Sequence, residues 1–118
     1  MLVRIDPDSG APLFAQVADS VRADAAAGRL APGDRLPAAR DVAAALGVNV
    51  HTVLRGYQEL RDEGLLDMRR GRGAVVTNAA ASLASLHRDV RALAARAHAL
   101  GLSPDSLSSL VKEAIRDR

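Results

Sequence analysis

The sequence predicts a mainly α-helical fold that includes one small two-stranded β-hairpin. Alanine is abundant, which favours helices, and glycine and proline divide the chain into segments of helical length joined by short turns. Only two short stretches within residues 65–77 are apolar and β-branched enough to predict strands. With 118 residues, 48% of them hydrophobic and 25% charged, the chain fits one domain or a small domain with an appendage, which excludes a large two-domain enzyme.

The composition argues against metal, redox and membrane functions. Cysteine is absent, which removes disulfides, thiolate zinc sites and cysteine nucleophiles, and the chain has only three histidines. We therefore expect no metal site and no cofactor. No apolar run approaches the roughly 18 to 20 residues of a membrane helix, and the first residues lack a secretory signal, so we expect a cytoplasmic protein. Phe14 and Tyr57 are the only aromatic residues, too few for a platform that stacks single-stranded bases.

Three helices are predicted in the first half of the chain, over residues 12–27, 37–46 and 50–63. A proline opens each of the first two helices, and a glycine follows each of the three. Asn49 is a suitable cap for the third helix, so only a tight three-residue joint separates it from the second.

The third predicted helix is amphipathic. At 100° per residue, one face collects apolar side chains that we expect to be buried: Val50, Val53, Leu54, Tyr57 and Leu60. The opposite face is polar and begins with His51, Thr52 and Arg55, close to the positive end of the helix dipole. This polar face is available for recognition of a partner.

Residues 65–68 and 74–77 predict a hairpin around the tip Arg69-Arg70-Gly71-Arg72-Gly73. Three arginines within five residues give a basic density that the rest of the chain lacks. The whole chain has 16 basic and 14 acidic residues and a net charge of +2, so the position of the charges, more than their sum, points to nucleic acid. A flexible solubilising turn is the alternative interpretation of the tip.

Residues 78–118 predict two further helices. Over residues 79–100 apolar side chains recur at steps of 3, 4, 3, 4 and 3, which is a heptad seam formed by Leu83, Leu86, Val90, Leu93, Ala97 and Leu100. Gly101 ends this helix, and Ser103 and Pro104 begin the last one. We expect a two-helix hairpin that mediates homodimerisation through the seam. Packing of the seam on its own domain is the alternative.

The order of helix, short helix, tight turn, helix and basic hairpin is that of a winged helix-turn-helix. The residues also resemble the N-terminal domain of GntR-family bacterial transcription regulators, at these positions: Pro12-Leu13-Phe14-Ala15-Gln16-Val17, Gly28 to Pro37, Arg40-Asp41-Val42-Ala43, Leu46-Gly47-Val48, Thr52-Val53, Arg55, Tyr57, Leu60, Glu63-Gly64-Leu65 and Arg70-Gly71-Arg72-Gly73. The short tail and the pattern Asn49-x-x-Thr52-Val53-x-Arg55-x-Tyr57 look like the YtrA subfamily, whose brief two-helix tail serves dimerisation. The resemblance therefore implies a DNA-binding domain over residues 1–77 and a dimerisation region over residues 78–118.

The resemblance implies a DNA contact at Arg40, where an arginine can reach a phosphate or a guanine edge. The alternative is a solvated Arg40 paired with Asp41 or Asp34. Arg55 presents a guanidinium suited to the O6 and N7 atoms of guanine. An ion pair between Arg55 and Glu59 is the alternative.

Thr52 and His51 lie in the first turn of the third helix, where side chains and backbone N–H groups face a groove and its phosphates. His51 fits a solvated histidine equally well, and Asn49 either caps the helix or binds a phosphate. In the hairpin tip, Gly71 and Gly73 permit close approach of the backbone, while Arg70 and Arg72 supply charge for the minor groove or its phosphates.

The resemblance is incomplete at three positions. Many family members carry Arg or Pro where Val50 stands, and Ser and Glu where Ala38 and Ala39 stand. A cap and one or two DNA contacts of the family are therefore not carried over to these residues.

These observations predict a homodimeric regulator that binds a near-palindromic site on double-stranded DNA, most simply a repressor released by a small-molecule effector. A protein-interaction module, an architectural DNA-binding protein and an activator are the alternatives. An enzyme is not expected, because the chain lacks a phosphate-binding glycine loop and an HExxH motif, and nothing positions a serine nucleophile beside His87 or His98.

Overall fold

The computed structural model describes residues 3–118. The elements follow one another in this order: α1 (Leu13–Ala26), α2 (Ala39–Leu46), α3 (Val50–Asp62), β1 (Leu66–Arg69), β2 (Gly73–Val76), α4 (Ala79–Ala99) and α5 (Pro104–Arg116). The chain divides into two compact units, one that ends at Ser85 and one that spans residues 86–118. The predicted mainly helical fold with a two-stranded hairpin is thus confirmed.

The first unit is organised around the contact between α1 and α3, which meet at Gly56. A Cβ atom at this position would lie 2.9 Å from the carbonyl oxygen of Phe14 and 3.0 Å from Cγ1 of Val17. Atoms in folded proteins do not approach a Cβ this closely, so the two helices can pack at this distance only because residue 56 has no side chain.

A tight turn joins α2 to α3. Gly47 adopts a left-handed conformation with φ of 71° and donates its N–H to the carbonyl of Ala43, which also accepts from Val48. Asn49 then caps α3, because its side-chain oxygen accepts the N–H of His51 at 2.8 Å. The helix-turn-helix connection is therefore closed by hydrogen bonds at both ends.

The hairpin is extended by a third segment. β1 and β2 pair antiparallel with Leu66 opposite Val76 and Arg69 opposite Gly73. Along the outer edge of β2, residues 33–36 make three backbone hydrogen bonds of 2.8 to 2.9 Å to residues 74–76. This hairpin, residues 66–76, is the wing of the fold. It is attached to the segment that leads into α2, and its strand β2 is paired on both sides.

The core of the first unit lies between the three helices, the hairpin and the start of α4. Val17, Val21, Val53 and Leu60 are fully buried. Tyr57 belongs to this core, with its hydroxyl donating to the carbonyl oxygen of Pro37 at 2.9 Å. The tyrosine is a packing residue that links α3 to the segment before α2, as expected for an aromatic side chain on the apolar face.

The expected buried face of α3 is confirmed for Val53, Tyr57 and Leu60, and Val50 packs against the core in part. Val50 and Leu54 are only half-buried, although both were predicted on the buried face with Val53, Tyr57 and Leu60. Gly56 is also part of the buried face of α3, because α1 packs closely against this side of the helix. Leu54 is left at the border of the core.

The second unit contains the later part of α4 and all of α5, joined through Gly101, whose φ is 77°. Ser103 caps α5 by accepting the N–H of Ser106 at 3.1 Å. No residue of α5 is buried, and Leu110, Val111 and Ile115 are exposed. Both predicted C-terminal helices are present, and they carry large apolar side chains that face solvent in the single chain.

We expect Gly56→Ala to lower the free energy of unfolding by about 1–3 kcal/mol, because the added methyl group meets the backbone of α1 and overpacks the contact. This loss exceeds the gain of about 1 kcal/mol that alanine brings to a helix interior. Urea unfolding followed by circular dichroism measures the change. Gly10→Ala is the matched control, since a Cβ at Gly10 meets nothing within 4 Å. Equal or higher stability of Gly56→Ala would contradict the close contact.

Burial raises the pKa of Tyr57 from 10.0 to about 12. Because the folded state holds the proton more tightly, the stabilising contribution of Tyr57 is complete below pH 10 and is lost as the pH rises towards 12. Tyr57 is the single tyrosine and tryptophan is absent, so the ultraviolet absorbance of tyrosinate reports this one group. We expect a midpoint well above 10 in the native protein and near 10 in urea. A native midpoint near 10 would mean that the ring is open to solvent.

Candidate nucleic-acid interface

The start of α3 presents a short polar surface. Asn49 is committed to the cap through its side-chain oxygen, which leaves its amide group free to donate. His51 is exposed and Thr52 is half-buried in the first turn. These two residues and the first backbone N–H groups lie at the positive end of the α3 dipole, where an anion is stabilised.

Arg40 is exposed in the first turn of α2. Among the ion pairs of residues 3–118, none involves Arg40. Asp34, one of the two partners considered for it, accepts the N–H of Ala31 at 2.8 Å instead. The guanidinium of Arg40 is therefore available for a phosphate or a base.

A shallow hollow of about 510 Å³ lies beside Arg40, between the start of α2 and the start of α3. It is lined by Ala38, Ala39, Arg40, Asp41, Val50 and Leu54. Arg40 and Asp41 are the two charged residues of the lining, and the other four are apolar. The two alanines before Arg40 add no polar group to this hollow.

Arg55 stacks on Phe14. Its guanidinium carbon lies 3.7 Å from the centroid of the aromatic ring, which is a cation–π contact between α3 and the first turn of α1. The predicted alternative, an ion pair with Glu59, is absent from the described residues, and Glu59 lies 4.0 Å from Arg22. Stacking occupies the face of the guanidinium and leaves its N–H edges free to donate. Sequence reasoning treated Phe14 only as part of the family pattern, since the aromatic contact depends on how α1 and α3 cross.

The C-terminal half of α3 is acidic, and its charge is balanced within the protein. Arg22 of α1 donates two hydrogen bonds of 2.8 Å to Glu63 and contacts Asp19. The hydrogen bond to Glu63 raises the pKa of Arg22 above its ordinary value. Arg61 pairs with Asp62 at 3.2 Å. Polar side chains without an acidic partner are thus found at the start of α3, and paired charges at its end.

The wing carries the second group of basic side chains. Arg70 and Arg72 are exposed in the turn between β1 and β2, where Gly71 and Gly73 have φ of 79° and 71°. Neither arginine takes part in an ion pair within residues 3–118, whereas Arg69 pairs with Asp67 at 2.9 Å. The tip therefore presents two free guanidinium groups on a backbone that only glycine adopts readily.

Arg35 is a basic residue of this surface that sequence reasoning missed. It lies in the segment that pairs with β2, and its Nε donates to the carbonyl oxygen of Arg72 at 3.0 Å. The turn-rich composition around Arg35 predicted a loop and gave no sign of this pairing. Arg35 both adds charge beside the wing and fixes the position of the turn.

The helices α2 and α3 and the wing lie next to one another on the surface. A second hollow, of about 240 Å³, is lined by residues of both, among them Leu54, Met68, Arg35 and Arg72. Leu54 therefore lies between the hollow that contains Arg40 and the hollow that contains Arg72.

The predicted dimerisation seam divides into buried and exposed positions. Leu83 packs partly on the core of the first unit, and Ala97 is buried. Four large side chains stay open, with exposed fractions of 52, 52, 46 and 70% for Leu86, Val90, Leu93 and Leu100.

Within residues 3–118 no group of three or more His, Asp or Glu side chains is placed to bind a metal ion. Along the same part of the chain, no helix combines the length and the apolar character needed to cross a membrane.

Comparisons with known proteins agree with this geometry. Residues 13–76 match the family described as bacterial regulatory proteins, gntR family. The HTH-type transcriptional repressor YtrA of Bacillus subtilis is 30% identical over 122 residues, covering 98% of this chain and 94% of that protein. The solved structure of YtrA from Sulfolobus acidocaldarius, a GntR-family transcription factor, is 35% identical, covers 84% of this chain and 99% of its own, and superposes with a TM-score of 0.61.

A further solved structure, the DNA-binding domain of AraR in complex with operator ORX1, is 26% identical, with a TM-score of 0.56 over 63% of this chain and 92% of its own. The predicted winged-helix fold, the predicted DNA-binding regulatory function and the prediction that the chain is not an enzyme are confirmed by these matches. The family match spans more than half of the chain, and the Bacillus relative matches along nearly all of it. The chain is a winged-helix DNA-binding transcriptional regulator and belongs to the GntR family of bacterial regulatory proteins.

Proposed function

We propose that the protein is a homodimeric, sequence-specific repressor that binds a near-palindromic operator in the cytoplasm and is released by a small-molecule effector. The observation that carries this proposal is the set of exposed arginines without an acidic partner on the helix pair and the wing: Arg40, Arg55, Arg70 and Arg72. Unpaired guanidinium groups at such positions are matched to the phosphates and guanine edges of double-stranded DNA.

On this proposal the start of α3 enters the major groove. Arg55, oriented by Phe14, donates to the O6 and N7 atoms of a guanine, while Thr52 and His51 contact the groove or its phosphates. Arg40 binds a phosphate or a base edge from α2, and the amide of Asn49 donates to a phosphate while its oxygen caps the helix. Because the charged side chains at the end of α3 are paired within the protein, only its first turns offer free donors to the groove.

The wing contacts the adjacent minor groove or its phosphates. Gly71 and Gly73 allow the backbone to approach the duplex, and Arg70 and Arg72 supply the charge. The backbone pairing of residues 33–36 with β2 supports this role, because it holds the tip in place before DNA arrives.

Dimerisation occurs through the seam of α4, in the C-terminal region that we assign to residues 78–118. Leu86, Val90, Leu93 and Leu100 are exposed in the single chain at the a and d spacing of a coiled coil. Leu83 and Ala97 complete the seam. Two chains related by a two-fold axis present two copies of α3, which fits two half-sites about one helical turn apart.

Repression follows from occupancy of the operator. The Bacillus relative that matches nearly the whole chain carries the name of a transcriptional repressor, which favours repression over activation. An effector binds an apolar cavity between the C-terminal helices of the two chains, lined by their leucines and alanines. It releases the DNA by changing the distance between the two copies of α3, which then no longer match the two half-sites.

The test is selection of the purified protein against random-sequence duplex DNA at about 0.15 M salt, with sequencing of the bound pool. Enrichment of an inverted repeat is the expected result. Enrichment of a single half-site would remove the dimer from the proposal, and retention of DNA without enrichment would indicate an architectural DNA-binding protein.

We expect Arg55→Ala to weaken binding to the selected operator by about 1–3 kcal/mol and to relax the preference at one base step, because it removes a bidentate base contact. Arg72→Ala weakens binding to all sequences alike and lowers the salt dependence by about one phosphate contact. Titrations of labelled operator and random duplexes at several salt concentrations separate the two effects. Arg61→Ala, at the far end of α3, is the control. Equal losses of Arg55→Ala on both duplexes would contradict base reading.

We expect Leu93→Glu to yield monomers and to weaken operator binding strongly, since the substitution places a charge in the middle of the seam. Light scattering gives the mass, and the same DNA titration gives the affinity. Ala95→Glu is the matched control because residue 95 lies on the opposite side of α4. A dimer that survives Leu93→Glu would place the interface elsewhere.

A further inference from the structure

Leu54 is an apolar side chain on a surface that carries three arginines, Arg35, Arg40 and Arg72, and one acidic residue, Asp41. It is half-buried, so part of it is open to solvent, and it lines both the hollow that contains Arg40 and the hollow that contains Arg35 and Arg72. Leu60 of the same helix is fully buried, and Leu54 is not among the partly buried residues that pack against the core.

The arginines on either side of Leu54 indicate which part of a bound duplex this side chain would face. Arg40 belongs to α2, whereas Arg72 belongs to the wing, and Arg35 ties the backbone of Arg72 in place. Neither Arg40 nor Arg72 has an acidic partner within residues 3–118. The phosphates of a duplex border its grooves, so a duplex whose phosphates meet these arginines brings base edges towards the side chain between them.

The surroundings of Leu54 are apolar as well. Val50 stands one turn earlier on α3, and Ala38 and Ala39 line the same hollow. None of these side chains can donate or accept a hydrogen bond. Among the base edges of the major groove, only thymine presents an apolar group, its C5-methyl.

We propose that Leu54, flanked by Val50, reads the C5-methyl group of a thymine in each half-site of the operator. This inference rests on the proposed entry of α3 into the major groove. It assigns one position of the operator to a contact without hydrogen bonds, in addition to the base that Arg55 reads. Removal of that methyl group then weakens binding, although every hydrogen bond of the base pair is kept.

The experiment replaces each thymine of the selected operator, one at a time, by deoxyuridine, which lacks only the methyl group. For the unaltered protein we expect about a four-fold loss of affinity at one thymine per half-site, which corresponds to about 0.8 kcal/mol for one buried methyl group. Replacement in both half-sites gives about a fifteen-fold loss if the two contacts are independent. This scan needs no protein variant, so it does not depend on whether a substitution disturbs folding.

Leu54→Ala assigns the contact. In this variant the ratio of affinities for thymine and deoxyuridine at the sensitive position falls from about four to about one, while other positions are unchanged. Met68→Ala is the matched control, because Met68 is also half-buried beside the hollow with Arg72, and it keeps the ratio near four.

Three results overturn the inference: equal affinity for thymine and deoxyuridine at every position, a selected operator without thymine in its half-sites, or a methyl effect that persists in Leu54→Ala. The failure of the proposed function is distinguishable, because then the selection yields no enriched sequence at all.

Discussion

The close packing of α1 against α3 at Gly56 is the constraint on which the interface depends. The missing side chain at residue 56 brings the start of α1 beside the middle of α3. Two contacts follow from this approach: Phe14 lies under the guanidinium of Arg55, and Arg22 reaches Glu63. A helix pair held farther apart would lose both the orientation of Arg55 and the balance of charge along α3.

The local elements could be predicted from the sequence because their signals are local. Prolines at helix starts, glycines at helix ends and the Asn49 cap act within a few residues, and the structure contains each predicted helix and strand within about two residues. The exposed arginines of the wing, Arg70 and Arg72, were evident for the same reason. The heptad spacing of α4 likewise needed only the sequence of one helix.

The relations between elements could not be predicted in this way. The stacking of Phe14 on Arg55 joins residues that are 41 positions apart in the sequence. The hydrogen bond from Arg35 to the carbonyl oxygen of Arg72 joins residues that are 37 positions apart. The helical spacing of hydrophobic residues predicted that Leu54 is buried, because this pattern depends only on the sequence of α3. It contains no information about which other elements cover each side chain. Only the positions of α2 and the wing reveal that Leu54 stays partly open. Contacts over such separations are set by tertiary packing, which overrides the local pattern.

The hydrogen bond that Arg35 donates goes to the main chain of Arg72 and not to its side chain. The carbonyl group is the same whatever residue stands at position 72, so the location of the wing and the chemistry at its tip are specified by different parts of the sequence. Substitutions at position 72 can therefore change the charge of the tip while its backbone stays hydrogen-bonded to the segment that precedes α2. The residues of the tip can therefore vary without rebuilding the fold that carries it.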